Sequence, residues 1–124
     1  MLPQEIIDAW AEREPAFVLT TVSPQGIPNS IWVISSGLYQ GEHIVIADNY
    51  FDKTRTNIHA TGIASVLFIT KDGRSYQLKG RVSYHTDGPF YDFMKAVTPP
   101  KYPGHAAVVL HASEVYTGSQ KLGS

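Results

Sequence analysis

The sequence predicts a small, mainly β protein: an antiparallel barrel of six strands with short helices covering its openings. Two observations carry that prediction. Six runs rich in β-branched and aromatic residues follow one another mostly in hairpin order, joined by turns rich in Gly, Pro and Asp. Three short helical segments punctuate them, which is the pattern of a closed or nearly closed sheet rather than of a layered α/β fold. At 124 residues the chain is expected to be one domain, 1–124, large enough for one hydrophobic core and too small for two.

In chain order, Pro3 suits a first helical position and Ile6, Ile7 and Trp10 recur at spacings of three and four, so residues 3–14 read as an amphipathic helix ended by Pro15. Residues 16–22 and 28–35 read as strands around the turn Ser23-Pro24-Gln25-Gly26, making a hairpin. After the turn Gln40-Gly41-Glu42, His43 to Ala47 is a third, buried strand. A short polar helix then runs to about Ala60, with Gly62 placed to stop it in a left-handed turn. Residues 63–70 and 75–85 pair around the Asp72-Gly73 hairpin signal. Beyond the break Thr86-Asp87-Gly88-Pro89, the residues Phe90, Tyr91, Phe93, Met94 and Val97 form an aromatic helix, ended by the prolines at 99, 100 and 103. Residues 106–116 are the last expected strand, and residues 119–124 read as a loose tail.

The stretch of chemical interest is Asp48 to Asn57, where a strand stops and a helix starts. Asp52 can cap that helix, which leaves Lys53, Thr54 and Arg55 on the first turn, where free N–H groups and the positive end of the helix dipole favour an anion such as phosphate. Asn57 returns to the same face one turn later. On their own, Lys, Thr and Arg in the first turn of a helix are usually just solvated.

Composition excludes several other functions. Ten Lys and Arg against 11 Asp and Glu leave a formal charge of -1, so no general attraction to nucleic acid or an anionic membrane is expected. The absence of cysteine excludes disulfides, thiolate catalysis and Cys-ligated metals. The histidines at 43, 59, 85, 105 and 111 look scattered, so no metal centre is expected, and His111 reads as a satisfied interior or interface residue. No Gly-x-Ser-x-Gly elbow supports a nucleophilic triad. The amino terminus shows no basic and apolar leader pattern, and no run is long enough to span a bilayer, so a soluble, cytoplasmic protein is expected.

Four pieces, taken together and in order, resemble the FMN-binding split-barrel superfamily, the pyridoxamine 5'-phosphate oxidase-like proteins. They are Met1-Leu2-Pro3 before the first helix, Trp32 in the second strand, Lys53-Thr54-x-x-Asn57-Ile58 after the third, and Thr86-Asp87-Gly88-Pro89 after the fifth. The likeness is greatest to the small bacterial FMN-binding proteins and covers nearly the whole chain. It implies a six-stranded antiparallel Greek-key split β-barrel with short capping helices, and a homodimer holding FMN at the subunit interface. It further implies that Lys53 and Thr54 bind the FMN phosphate with support from Asn57, that Ser30, Ile31 and Trp32 line the ribityl chain and ring, and that Ala47, Asp48 and Asn49 present main-chain groups along the ring edge. Tyr102, Pro103 and Tyr116 are candidates to reach the partner's flavin. The function implied is that of an oxidoreductase or electron-transfer flavoprotein, drawing on a nicotinamide or protein electron donor, with no catalytic side chain specified. The alternative is a module that stores or binds FMN, haem or a deazaflavin without turnover. Asp48 and Asp52 depart from the family's small residues here, and an acidic Asp52 would oppose a phosphate unless it turned away to cap the helix.

Overall fold

The computed structural model describes residues 1–123 and shows one antiparallel sheet curled into a half-barrel, with three helices. The helices are α1 (Gln4–Ala11), α2 (Lys53–Ala60) and α3 (Gly88–Val97). The strands are β1 (Phe17–Val22), β2 (Pro28–Val33), β3 (Ser36–Tyr39), β4 (His43–Asp48), β5 (Ile63–Ile69), β6 (Ser75–His85), β7 (Ala106–Thr117) and β8 (Gln120–Leu122). Neighbouring strands run in the order β2-β1-β5-β6-β7-β4-β3, with β8 paired to β7. The two edge strands β2 and β3 are separated only by Ile34 and Ser35, so the sheet has to curl until its edges approach. No helix among the described residues is long and apolar enough to cross a membrane.

All six expected strands are present, and the count rises to eight through β3 and β8. In β3, Ser36 and Gly37 carry no strand signature, and the segment is extended because it pairs with β4 from Ser36↔Ile46 to Tyr39↔His43. Gly37 is also needed for packing, since a Cβ there would lie 2.8 Å from the Phe93 ring of α3. The tail expected to be loose turns at Gly118 (φ +54) and pairs Gln120 to Leu122 with Thr117 to Val115, while Ser124 lies outside the described residues. Helix α1 ends at Ala11, short of the expected 14, where Arg13 turns its guanidinium over the Trp10 ring at 3.9 Å.

Two apolar clusters hold the sheet. Inside the curl, Trp10 meets Phe17 and Phe68 edge-on, both at 5.3 Å, and Phe68 stacks on Tyr76 at 5.4 Å. Each such fully buried ring contributes on the order of 1.5–3 kcal/mol by leaving water. On the opposite face, α3 buries Met94 with Phe90 and Phe93 over Val45, Ala47, Ala107 and Val109. Strand β4 is thus covered on both sides, which explains its continuous apolar run and fixes firmly the point where Asp48 leaves the sheet.

Candidate functional site

Asp48 is the last residue of β4 and has no solvent exposure. Its carboxylate accepts from Arg55 Nε at 2.7 Å, Arg55 Nη2 at 3.0 Å, the Tyr84 hydroxyl at 2.6 Å and the Phe51 N–H at 3.0 Å. Burial alone pushes this carboxyl up, but the hydrogen bonds from Arg55, Tyr84 and Phe51 outweigh it and hold it below the usual range. The same contacts raise the Tyr84 phenol, through burial first and then Asp48. Asp48 therefore spends its charge inward, tying β4, the turn at 49–51, α2 and β6 into one unit.

Asn49 extends that brace. Its Nδ2 donates to Ser35 Oγ at 3.3 Å and its Oδ1 accepts from the Gly104 N–H at 2.9 Å, so its side chain serves the scaffold. Asp52 occupies the position before α2, but its side chain makes no capping hydrogen bond, contrary to the expectation that it would cap the helix. Asp48 instead accepts the Phe51 N–H, ahead of the helix, and so fixes the turn into α2 without capping it. The first-turn N–H groups of Lys53, Thr54 and Arg55 are thereby left without a side-chain cap, at the positive end of a helix stopped by Gly62 (φ +65).

Two cavities border this turn. One, of about 340 Å³, is lined by Ser23, Ile27, Pro28, Asn29, Lys53 and Asn57, among others. The other, of about 290 Å³, lies further along β2 against Ile31, Trp32, Ala47, Asn49, Tyr50 and Tyr102. Of the residues singled out from sequence, Lys53 and Asn57 thus meet at the first cavity and Ile31, Trp32, Ala47 and Asn49 at the second. Ser30, Asp48 and Thr54 line neither. Ser30 shares a 2.7 Å hydrogen bond with Thr20 on the outer face of the sheet, because strand alternation sends it away from Ile31. The Thr54 side chain is buried, its Oγ1 accepting from Asn29 Nδ2 at 3.2 Å, so at the helix start it offers its main chain. Asn57 is buried too and donates to Thr21 Oγ1 at 3.1 Å. Lys53 is exposed and forms no ion pair among the described residues, whereas Arg55 is committed to Asp48. Trp32 is 73 % exposed, opposite Val18.

The histidines are less scattered than their spacing suggests. Ser83 Oγ lies 2.7 Å from His85 Nε2 and 2.8 Å from His111 Nε2, and the His43 ring sits 4.7 Å from that of His111. His111 is satisfied, as expected, but it is exposed rather than interior. Partial burial, then His43 and His85, lower its pKa. Among the described residues, no three His, Asp or Glu side chains are arranged to hold a metal ion. Only the register that sets β6 and β4 on either side of β7 brings the three together, and sequence spacing carries no signal of it.

Comparison with known proteins agrees with this architecture. The uncharacterized protein MJ0282 of Methanocaldococcus jannaschii is 28% identical over 121 residues, covering 93% of this chain and 79% of that protein. HupZ of group A Streptococcus superposes with a TM-score of 0.83 at 21% identity, covering 100% of this chain and 99% of the other. An FMN-binding protein of Syntrophomonas wolfei superposes with a TM-score of 0.79 at 18% identity, covering 94% and 88%. At these identities the structural likeness speaks for the fold. Residues 3–118 match the family model of pyridoxamine 5'-phosphate oxidase, and this chain belongs to that family.

Proposed function

We propose that the chain is an FMN-binding flavoprotein whose cofactor phosphate sits at the start of α2. The carrying observation is the uncapped first turn beside Lys53: its three leading N–H groups lack a side-chain cap, Lys53 enters no ion pair, and the one buried carboxylate nearby is neutralised by Arg55. Such a donor set fits a phosphate dianion, with Lys53 giving charge, Thr54 its main-chain N–H, and Asn57 holding α2 against β1 through Thr21. Asp52 is the opposing charge, and its exposure to water screens it.

The ring and ribityl chain would then run along β2, past Ser30, Ile31 and Trp32, toward the cavity floored by Ala47 and Asn49 and flanked by Tyr50 and Tyr102. Bound there, the flavin supplies hydride or electron transfer, and the protein supplies binding, orientation and exclusion of water. A nicotinamide or a protein would be the donor. The reading includes a homodimer. Register places Trp32, Val18 and Leu67 side by side across β2, β1 and β5, and Ile63 and Ile69 extend this exposed apolar face, which a second copy would cover and bring to the flavin.

A second reading, a module that binds FMN or a related ligand without turnover, is favoured by one observation. Asp48 is fully committed to its partners, so it presents no free acid or base to either cavity. One visible absorption spectrum of the purified protein, before and after adding FMN, tests the flavin itself, and a protein that stays colourless overturns both readings. Oxidation of NADH or NADPH by the loaded protein separates them, because turnover excludes the storage module.

A further inference from the structure

Ser83, His85, His111 and His43 line neither cavity at α2, and they lie on β6, β7 and β4, off the exposed apolar row of β2, β1 and β5. Strand alternation puts Ser83 and His85 on one face of β6, and register sets His111 opposite Arg81, two residues before Ser83 on that face. The two strands come unusually close there. A β-bulge separates Lys79 from Gly80, and a Cβ on Gly80 would lie 2.1 Å from the His111 carbonyl oxygen, so only glycine permits this approach. His111 is thereby fixed against β6. Its Nε2 reaches Ser83 Oγ at 2.8 Å, and His85 Nε2 reaches the same oxygen at 2.7 Å. The His43 ring packs edge-on against His111 at 4.7 Å, and His43 and His85 flank the Phe90 ring of α3 at 5.5 and 5.1 Å.

A serine hydroxyl has one proton, so it can donate to one of the two imidazoles at most, and the other has to donate its own N–H to the oxygen. One hydroxyl can thus meet an acceptor and a donor at once, as a nucleophile meets its general base and an electrophilic partner. Partial burial first, then His43 and His85, keep His111 neutral at neutral pH, and its exposure lets a leaving group and water reach it. His85, half-buried against Phe90, is the donor. We propose that Ser83 is a nucleophile for acyl transfer from small aryl esters, with His111 as general base and His85 as donor to the oxyanion. In the first step Ser83 Oγ bonds to the acyl carbon and its proton passes to His111 Nε2. The bond to the aryl oxygen then breaks, and that oxygen takes the proton and leaves as the phenol. In the second step water adds to the acyl carbon and gives a proton to His111, and the carboxylic acid leaves as Ser83 regains that proton. An aryl ester fits because a phenol needs no stronger acid than an imidazolium to leave. The half-buried Phe90 ring, edge-on to Tyr39 at 5.0 Å, gives the aryl group an apolar shelf. None of this chemistry rests on the flavin reading.

The test incubates the full chain, without added flavin, with p-nitrophenyl acetate. Release of p-nitrophenol is followed by absorbance, and the acetyl group is trapped by acid and mapped by peptide mass spectrometry. The acetyl group is expected on Ser83, formed at a rate that falls as pH drops through a midpoint below about 6.5, the ordinary value for histidine. His111→Gln should slow acetylation of Ser83 by about a hundredfold, and Ser83→Ala should remove the fast release of p-nitrophenol. The proposal is overturned if the acetyl group is found only on lysines, histidines or the amino terminus, or if His111→Gln leaves the rate unchanged. A rate that climbs steadily above pH 8, as for a lysine amine, overturns it too. Should Ser83→Ala fail to fold by circular dichroism, the map of the wild-type adduct decides alone.

Discussion

Arg55 closes on Asp48 with two hydrogen bonds, Nε to Oδ2 at 2.7 Å and Nη2 to Oδ1 at 3.0 Å, around a carboxylate with no solvent exposure. The pair looks like binding machinery in sequence, a cation and an acid flanking a helix start. In the fold its business is internal: it removes Arg55 from the set of cations available to a ligand and leaves Lys53 as the one at that cavity. Asp48 thus shapes the turn that presents the helix start, while Asp52, which lines the same cavity as Lys53, remains the acid facing a phosphate there.

Removing that carboxylate should cost stability. Breaking a buried pair by deleting one partner typically costs about 3–5 kcal/mol, because a charge is left uncompensated. Arg55 is 38% exposed and can turn to water, so the loss for Asp48→Ala is expected nearer ~2–3 kcal/mol, read as a lowered urea midpoint at pH 7. A change under roughly 0.5 kcal/mol would show that the pair does not brace the turn.

Acid should act on the same residue. The folded pKa of Asp48 is depressed below the ordinary value near 3.9, so its contribution is complete above about pH 4 and is lost as pH falls through the folded value. His111 is depressed as well, so the neutral form is favoured in the fold and its contribution fades earlier, as pH falls below about 6.5. Urea midpoints measured from pH 7 to pH 2.5 should fall in two stages. Asp48→Asn should shrink the lower stage, to which Asp72 and Glu114 also contribute, and leave the upper one, and a profile identical to wild type would show that Asp48 is not responsible.

Much of the fold was legible because burial on one face writes alternation into a strand, as in Phe17, Leu19 and Thr21, and burial on both faces writes a continuous apolar run, as in β4. Strands β3 and β8 were not legible, since Ser36-Gly37 and Gln120-Lys121 become strands through pairing rather than propensity. The helix start was visible at Lys53 and Thr54, but not the inward turn of the Thr54 hydroxyl to Asn29 or of Asp48 to Arg55, because both depend on residues that only the tertiary fold brings close. The clustering of His43, His85 and His111 has the same origin, in register and not in spacing.

Gly80 and Gly37 both lack room for a methyl group, for different reasons. At Gly80 the obstacle is the His111 main chain at 2.1 Å, while at Gly37 it is the end of the Phe93 side chain at 2.8 Å. Gly80→Ala is therefore expected to destabilise by about 3 kcal/mol or more, and Gly37→Ala by about 1–2 kcal/mol as the ring shifts. Thermal unfolding of the two variants checks the ranking, and the reverse order would contradict the bulge geometry.

If a second copy covers the exposed row of Trp32, Val18 and Leu67, a charge in its middle should be felt as dissociation. Leu67 is 46% exposed in the single chain, so Leu67→Lys is expected to fold normally and to shift the protein from dimer to monomer in size-exclusion chromatography with light scattering. A wild-type protein that is already monomeric would require both halves of the flavin contact to come from one chain.

The phosphate assignment makes the sharpest claim, because it separates two ligands that share a ring. FMN and riboflavin differ by the phosphate, and at the start of α2 that group would meet the Lys53 ammonium and uncapped N–H groups. Lys53→Ala removes a charge-assisted contact worth about 1.5–3 kcal/mol, so FMN should weaken by roughly tenfold to a hundredfold while riboflavin changes little. Thr54→Ala is a poorer probe, since it breaks the hydrogen bond from Asn29 and loosens β2 against α2 whatever binds there. Fluorescence titration of both flavins against wild type and Lys53→Ala decides the matter. Equal losses for FMN and riboflavin would place the phosphate elsewhere, and a loss confined to FMN would fix it at the helix that Asp48 and Arg55 hold in place.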